Sequence, residues 1–211
     1  MKVVIVFNKT FEAEKLYICS DLHINHTNIV RCLSSWPDKS GCRNFNSLSE
    51  MENAIIDNIN NIVPSDGILI NLGDIIFGDK TLLKSILGKI NCKTHHLVFG
   101  NHDHWMLNKP ETLSLFTSTQ HYSEINVVYN NKKYRIILSH YPLASWNDMS
   151  RNSIMLFGHC HGTYKSYGKS MDVGIDCNDF KPVKFSEILA KTENKEIVCV
   201  DHHVKNVVFS S

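Results

Sequence analysis

His96-Leu97-Val98-Phe99-Gly100-Asn101-His102-Asp103 decides how this chain is read. A short run of Leu, Val and Phe reads as a buried strand. It stops at a glycine and passes directly into residues that can bind or orient a metal ion. The same device recurs along the chain. Leu16-Tyr17-Ile18-Cys19-Ser20 leads into Asp21-Leu22-His23, and Gly67-Ile68-Leu69-Ile70-Asn71-Leu72 leads into Gly73-Asp74. Tyr134-Arg135-Ile136-Ile137-Leu138-Ser139 leads into His140, and Ser153-Ile154-Met155-Leu156-Phe157 leads into Gly158-His159-Cys160-His161. Side chains at strand ends share one edge of a sheet, so residues distant in sequence can converge there.

Taken singly, each motif has an ordinary explanation. An Asp such as Asp21 or Asp74 after a strand commonly forms a turn or caps a helix. His140 alone reads as a hydrogen-bonded core histidine. Asp-x-His and His-x-His put both ligands on one side of an extended segment, since alternate side chains share a face. Together the motifs outweigh those explanations, because burying an unpaired carboxylate or imidazole at every strand end would be costly. The combined pattern points to a metal-dependent hydrolase.

The 211 residues suit one domain spanning 1–211, with ordinary apolar (43%) and charged (20%) fractions and a formal net charge of +1. That charge gives no extended nucleic-acid surface, and no run approaches membrane-spanning length. Cys19, Cys32, Cys42, Cys92, Cys160, Cys177 and Cys199 are scattered and odd in number, without a Cys-x-x-Cys pair. This argues against a disulfide framework and for a reducing, cytoplasmic setting.

Strands are expected at Val3 to Phe7 and Lys15 to Cys19, around a polar turn at Asn8-Lys9-Thr10. Helices are expected at Asn28 to Leu33, Ser49 to Val63 (capped by Ser47 or Ser49), Thr81 to Ile90 and Ser186 to Lys191. Glu124 to Tyr129 and Lys133 to Leu138 read as a hairpin around Asn130-Asn131. Asp172 to Ile175 reads as a strand, and Ile197 to Val200 with Val204 to Phe209 as a closing hairpin. His95-His96 and His202-His203 read as surface residues. Trp36, Trp105 and Trp146 serve packing or stack on a base. Early alternation of strands and helices, with strands clustered late, favours a layered α/β or α+β fold.

The ordered set of Asp21-Leu22-His23, Gly73-Asp74, Gly100-Asn101-His102-Asp103, His140 and Gly158-His159-Cys160-His161 resembles the calcineurin-like metallophosphoesterases. The strings from Asp21 to Ile29, from Leu138 to Leu143 and from Met171 to Asp176 resemble a small single-domain bacterial and phage branch. The resemblance covers roughly residues 16–190 and leaves 1–14 as an N-terminal extension that adds an edge strand or an oligomer contact. It implies an α/β fold of two facing mixed β-sheets flanked by helices, a four-layer α/β/β/α sandwich. It also implies two divalent metal ions. Asp21, His23 and His161 would hold the first and Asn101, His140 and His159 the second, with Asp74 bridging. His102 would aid departure of the leaving group and Asp103 would orient His102. The mixed nitrogen and oxygen donors suit Mn, Fe, Co, Ni or Zn better than Mg.

Such a pair of ions shares a water, lowers its pKa and stabilises in-line attack on phosphorus. The chain departs from many relatives in having Ile75-Ile76-Phe77-Gly78 after Gly73-Asp74, and Phe99 where many protein phosphatases have Arg. Fewer phosphate-clamping arginines favour a phosphodiesterase acting on a small or nucleotide-like phosphodiester, with His26 and Asn28 as substrate contacts or His26 as a helix cap. The alternatives are a phosphomonoesterase or protein phosphatase, a nuclease, and an inactive binding scaffold of the same fold. The sequence leaves the oligomeric state open.

Overall fold

The computed structural model describes residues 9–34 and 42–200. Its strands are β1 (Lys9–Glu12), β2 (Leu16–Cys19), β3 (Ile68–Asn71), β4 (Thr94–Val98), β5 (Ser118–Gln120), β6 (Tyr122–Tyr129), β7 (Lys132–Ser139), β8 (Ile154–Phe157), β9 (Ser170–Asp172) and β10 (Val183–Lys184). The helices are α1 (Thr27–Val30), α2 (Leu48–Ile62), α3 (Leu83–Gly88), α4 (Pro110–Leu113) and α5 (Phe185–Thr192).

The strands form two mixed five-stranded sheets, ordered β10-β2-β3-β4-β5 and β1-β6-β7-β8-β9. In the first sheet β2 to β5 run parallel and β10 pairs antiparallel with β2. In the second, β6 and β7 are antiparallel, whereas β1 on β6, and β8 and β9 beyond β7, are parallel additions.

Side-chain alternation explains why the sheets stack. Leu16, Ile18 and Ile70 of the first sheet meet Ile125, Val127, Ile136, Leu138, Ile154 and Leu156 of the second in one core. The residues between them, Tyr17, Cys19 and Leu69, face the opposite way and pack with Met51, Ile55 and Ile59 of α2 and with α3. On the far side Ile137, Met155 and Phe157 are covered by Trp146 and Met149. The strands are therefore buried on both faces and read as continuous apolar runs. Helix α2 begins where Ser47 Oγ accepts from Glu50 N–H, and the Glu50 carboxylate accepts from Asn46 N–H. These bonds satisfy N–H groups that the first helical turn leaves open.

Several local expectations are corrected. The segment read as a polar turn starts β1 instead, because pairing with β6 satisfies its backbone and Phe11 is buried. Strands β5 and β10 are too short and too polar to show periodicity. The expected 81–90 helix splits into a 3-10 turn at Lys80–Leu82, capped by Asp79, and the shorter α3. Strand β9 ends at Asp172, whose side chain accepts from Gly174 N–H and turns the chain into a 3-10 turn at Ile175–Cys177.

His95 and His96 are buried within β4, not at the surface. They are kept there by contacts with Cys92 Sγ at 3.2 Å and Ser118 Oγ at 2.7 Å. Cys32 and Cys42 form a disulfide that scattered spacing did not anticipate, with Cα atoms 4.5 Å apart. Residues 197–200 form no strand. The expectations for Val3 to Phe7, Trp36, His202-His203 and Val204 to Phe209 lie outside the described residues. Among the described residues, no helix is long and apolar enough to cross a membrane.

Leu156 is fully buried between the sheets on the strand leading to His159. Leu156→Ala is expected to cost about 2–5 kcal/mol through lost burial and a residual cavity. Urea unfolding of the metal-free chain, by midpoint and slope, measures it.

Candidate metal centre

The carboxyl ends of parallel strands β2, β3 and β4 in one sheet, and of β7 and β8 in the other, open onto the same edge. Residues just past these ends supply Asp21 and His23, Asp74, Asn101 to Asp103, His140, and His159 to His161. Their backbone is not extended. Asp21 (φ +59°), His23 (+47°), Asp74 (+55°), His159 (+68°) and His161 (+46°) all occupy the left-handed region. This corrects the expectation that Asp-x-His and His-x-His converge by strand alternation. Each such residue costs about 1–2 kcal/mol of local strain, so the surroundings must hold it. Asp21 N–H donates to Gly73 O at 2.9 Å, His23 N–H to Asp74 O at 3.0 Å and Gly158 N–H to His140 O at 2.9 Å.

Two overlapping groups of ligand atoms result. Asp21, His23 and His161 form one, and Asp21, Asp74 and His140 the other, with atoms inside each group within 4.8 Å of one another. Asp74 Oδ2 lies 3.7 Å from His23 Nε2 and 3.6 Å from His140 Nε2, so one carboxylate oxygen faces imidazoles of both halves. Asn101 Oδ1 lies 3.0 Å from His140 Nε2. His159 is exposed, and its ring packs edge-on against His140 and Tyr141. Its N–H donates to Asp21 Oδ2 at 2.9 Å.

The donor set fits a divalent ion. Asp21 Oδ1 is buried without a hydrogen bond, an arrangement that is costly unless a cation completes it. Burial would raise the Asp21 carboxyl, but the adjacent His23 ring and the neighbouring His161 and His140 prevail and lower it to about 2. Burial lowers the pKa of His23 and His159, favouring the neutral imidazole that a metal requires.

The outer contacts set ring orientation. His140 Nδ1 lies 2.7 Å from Leu72 O and His161 Nδ1 2.7 Å from Asp176 Oδ2, so each ring donates from Nδ1 and turns Nε2 toward the centre. His23 Nδ1 lies 3.2 Å from His26 Nδ1. Burial lowers His26 to about 4, so its ring is neutral, and the tautomers decide which Nδ1 donates across this contact. His26 is buried and stacked on Phe77 at 4.0 Å. It stands at the start of α1 without making a side-chain cap. The ring therefore backs His23 and does not cap the helix. Asn28 is exposed on α1.

His102 is 38% exposed, and its Nε2 lies 3.9 Å from Asp74 Oδ2. Asp103, expected to orient His102, accepts instead from Asp74 N–H at 2.7 Å and Gly100 N–H at 2.9 Å. Its carboxylate ties the second and third motif loops together. Burial pushes it up to about 6. Cys19 is buried in the outer core, while Cys160 lies in the turn between His159 and His161.

Sequence reasoning missed Arg43 and did not separate Asp176 from its motif. Arg43 is 1% exposed and grips Asp176 through two 2.8 Å bonds. Burial would raise the Asp176 carboxyl, but His161 and Arg43 hold it below the usual carboxylate range. The partners are far apart in sequence, and nothing in the local spacing around Arg43 announces them.

Glycines permit the close approach of these loops. A Cβ at Gly158 would strike Ser20 Oγ and Asp21 Oδ2, whereas one at Gly88 in α3 meets nothing within 4 Å. Gly158→Ala is expected to cost about 1–3 kcal/mol by overpacking. Gly88→Ala should be neutral or stabilising by about 0.5–1 kcal/mol. Parallel denaturant titrations compare the two.

The chain is 26% identical to an uncharacterised protein of Methanocaldococcus jannaschii, over 87% of this chain and 94% of that one. A crystal structure of an Aquifex aeolicus protein of unknown function superposes with a TM-score of 0.56 at 23% identity, covering 83% of this chain and 98% of that one. This likeness concerns the fold. A Pseudomonas putida nuclease aligns more loosely, with a TM-score of 0.41 and 16% identity over 71% of this chain and 62% of the nuclease. The calcineurin-like phosphoesterase family model matches residues 14–207, and membership of this family implies metal-dependent phosphoester hydrolysis. With that match spanning nearly its whole length, the chain belongs to the calcineurin-like phosphoesterases.

Proposed function

We propose that the chain is a dinuclear phosphodiesterase acting on a small or nucleotide-like phosphodiester. The observation that carries this reading is the convergence of Asp21, His23, Asp74, His140 and His161 into two ligand groups sharing Asp21. Asp21, His23 and His161 would hold one ion, Asn101, His140 and His159 the other, and Asp74 both. Manganese, iron, cobalt, nickel and zinc suit these donors better than magnesium. When bound, two such ions supply a water of lowered pKa and positive charge opposite the phosphoryl oxygens.

The remaining steps belong to the protein. His102, half-exposed above Asp74, is placed to give a proton to the departing oxygen. Asp103 keeps the His102 loop in register through its backbone acceptor bonds. Phe77 edges His102 at 4.8 Å. An apolar wall favours the single charge of a diester over the double charge of a monoester. Cys19, Cys92, Cys160, Cys177 and Cys199 are free thiols, in keeping with a cytoplasmic setting, whereas the Cys32–Cys42 disulfide weighs against it.

Metal-stripped protein, assayed with and without added Mn, Co, Ni, Zn or Mg, tests the reading. Restored cleavage of bis-nitrophenyl phosphate should exceed cleavage of the matching monoester. A monoester preference would favour a phosphatase, and inactivity with every metal a binding scaffold.

Asp74→Ala should reduce metal-restored turnover to background, because both halves lose a ligand. Near-normal turnover would exclude a shared Asp74. His102→Ala should lose about 10²–10⁴-fold on an alkyl or nucleoside leaving group, with far smaller losses on nitrophenyl esters. Equal losses on both substrates would remove His102 from the proton-donor role.

A further inference from the structure

We propose that Arg43 and Asp176 are positioning residues for the Asp21–His23–His161 half of the centre, and that they make it the half that binds a divalent ion first. The inference rests on the reading of this edge as a metal centre.

Arg43 is 1% exposed, although it lies outside any helix or strand, ahead of α2. A buried guanidinium has to spend its donors well. Its Nε and Nη2 each donate to Asp176 at 2.8 Å, as a fork on one carboxylate. Nη2 also donates to Asp21 O at 2.6 Å, and Nη1 to Leu22 O at 2.7 Å, with Met51 Sδ at 3.8 Å. Asp176 Oδ2 then accepts from His161 Nδ1 at 2.7 Å. One guanidinium thus grips the main chain of the Asp21-Leu22-His23 loop directly and reaches a ligand in the Gly158–His161 loop through one carboxylate. These are the loops whose ligands stand in left-handed conformations, where an outside hold is most needed.

The arrangement also fixes a tautomer. With its Nδ1–H donating to Asp176 Oδ2, His161 turns its Nε2 lone pair toward Asp21 Oδ1, 3.8 Å away. Partners outside the ligand set that do this commonly govern metal affinity. The other half is held differently. His140 Nδ1 meets the main-chain oxygen of Leu72, and His159 is exposed. One half is built around a buried ionic relay and the other is not, so their affinities should separate.

The test uses the full chain, stripped of metal and titrated calorimetrically with Mn²⁺ and separately with Zn²⁺, as wild type, Asp176→Asn and Arg43→Lys. Thermal unfolding establishes that each variant is folded. Wild type should bind two ions with separable affinities. Asp176→Asn should weaken the tighter one by about 10–100-fold and leave the weaker one unchanged. Arg43→Lys keeps the charge but loses the fork, and should weaken the same site. Imidazole ¹⁵N spectra of the metal-free protein at mildly alkaline pH should show His161 protonated at Nδ1 in wild type and a mixture of tautomers in Asp176→Asn.

Folded variants that keep both affinities, or lose them equally, would overturn the inference. So would a wild-type His161 protonated at Nε2, a readout that does not depend on any variant folding. A wild type that binds neither ion would overturn the metal-centre reading itself, a result distinguishable from failure of the positioning role alone.

Discussion

Two carboxylates, Asp21 and Asp74, are buried a few ångströms from each other's imidazole partners, and the rest of the edge is organised around that fact. An isolated ionised carboxylate does not survive in a protein interior unless its charge is answered. Here His159 N–H donates to Asp21 and His102 N–H to Asp74, both at 2.9 Å. Gly100 and Gly158 carry no Cβ, which lets the loops approach closely enough for those bonds. What the protein leaves incomplete is Asp21 Oδ1, buried and lacking a hydrogen bond in a nest of imidazoles. A buried carboxylate oxygen left without a hydrogen bond among imidazoles, with Ser20 Oγ beside it likewise without one, has the electrostatics of a cation site.

Burial alone would not produce the geometry. Five ligand-bearing positions adopt positive φ without being glycine, a conformation that no L-residue takes without cost. The strain is held because each loop is bonded to another loop and not merely to its own strand. Gly73 O accepts from Asp21 and Asp74 O from His23, while Asp103 gathers the N–H groups of Asp74 and Gly100. The loops therefore behave as one unit. Rigid stacking of the two sheets beneath them keeps that unit in place, since the inward faces of β2, β3, β7 and β8 share one core.

This division explains what could be read from the sequence. Apolar runs ending in ligand residues are local patterns, so the strands, the shared edge and the ligand-bearing loops were legible. The Asn130-Asn131 hairpin was legible because both residues tolerate the positive φ that a tight turn requires. The left-handed ligand conformations were not, because alternation along an extended chain brings Asp21 and His23 to one side equally well. Arg43 was invisible, since its partners lie in loops far away in sequence and no periodicity marks a single buried cation. His26 was misplaced for a related reason. Its neighbours in sequence allowed a helix cap, but stacking on Phe77 and the contact with His23 draw the ring inward and no cap forms. Strands β5 and β10 were missed because three and two residues carry no period.

Phe77 and Phe99 occupy positions that bear on charge preference, and they act differently. Phe99 is 6% exposed and packs into the outer core, so that position offers nothing to substrate. Phe77 is partly exposed, stacked on His26 and edge-on to His102. Substrate approaching His102 from that side meets an aromatic wall where a guanidinium could otherwise neutralise a phosphate dianion. A phosphodiester brings one negative charge and two organic substituents, so under the proposed function it would lose little from the missing cation and would gain apolar contact with Phe77. A monoester dianion loses the cation and has one substituent fewer to place against the ring. On the proposed reading, the aromatic that stacks on His26 behind His23 would also favour the less charged substrate, linking the support of the candidate ligands to the choice of ester.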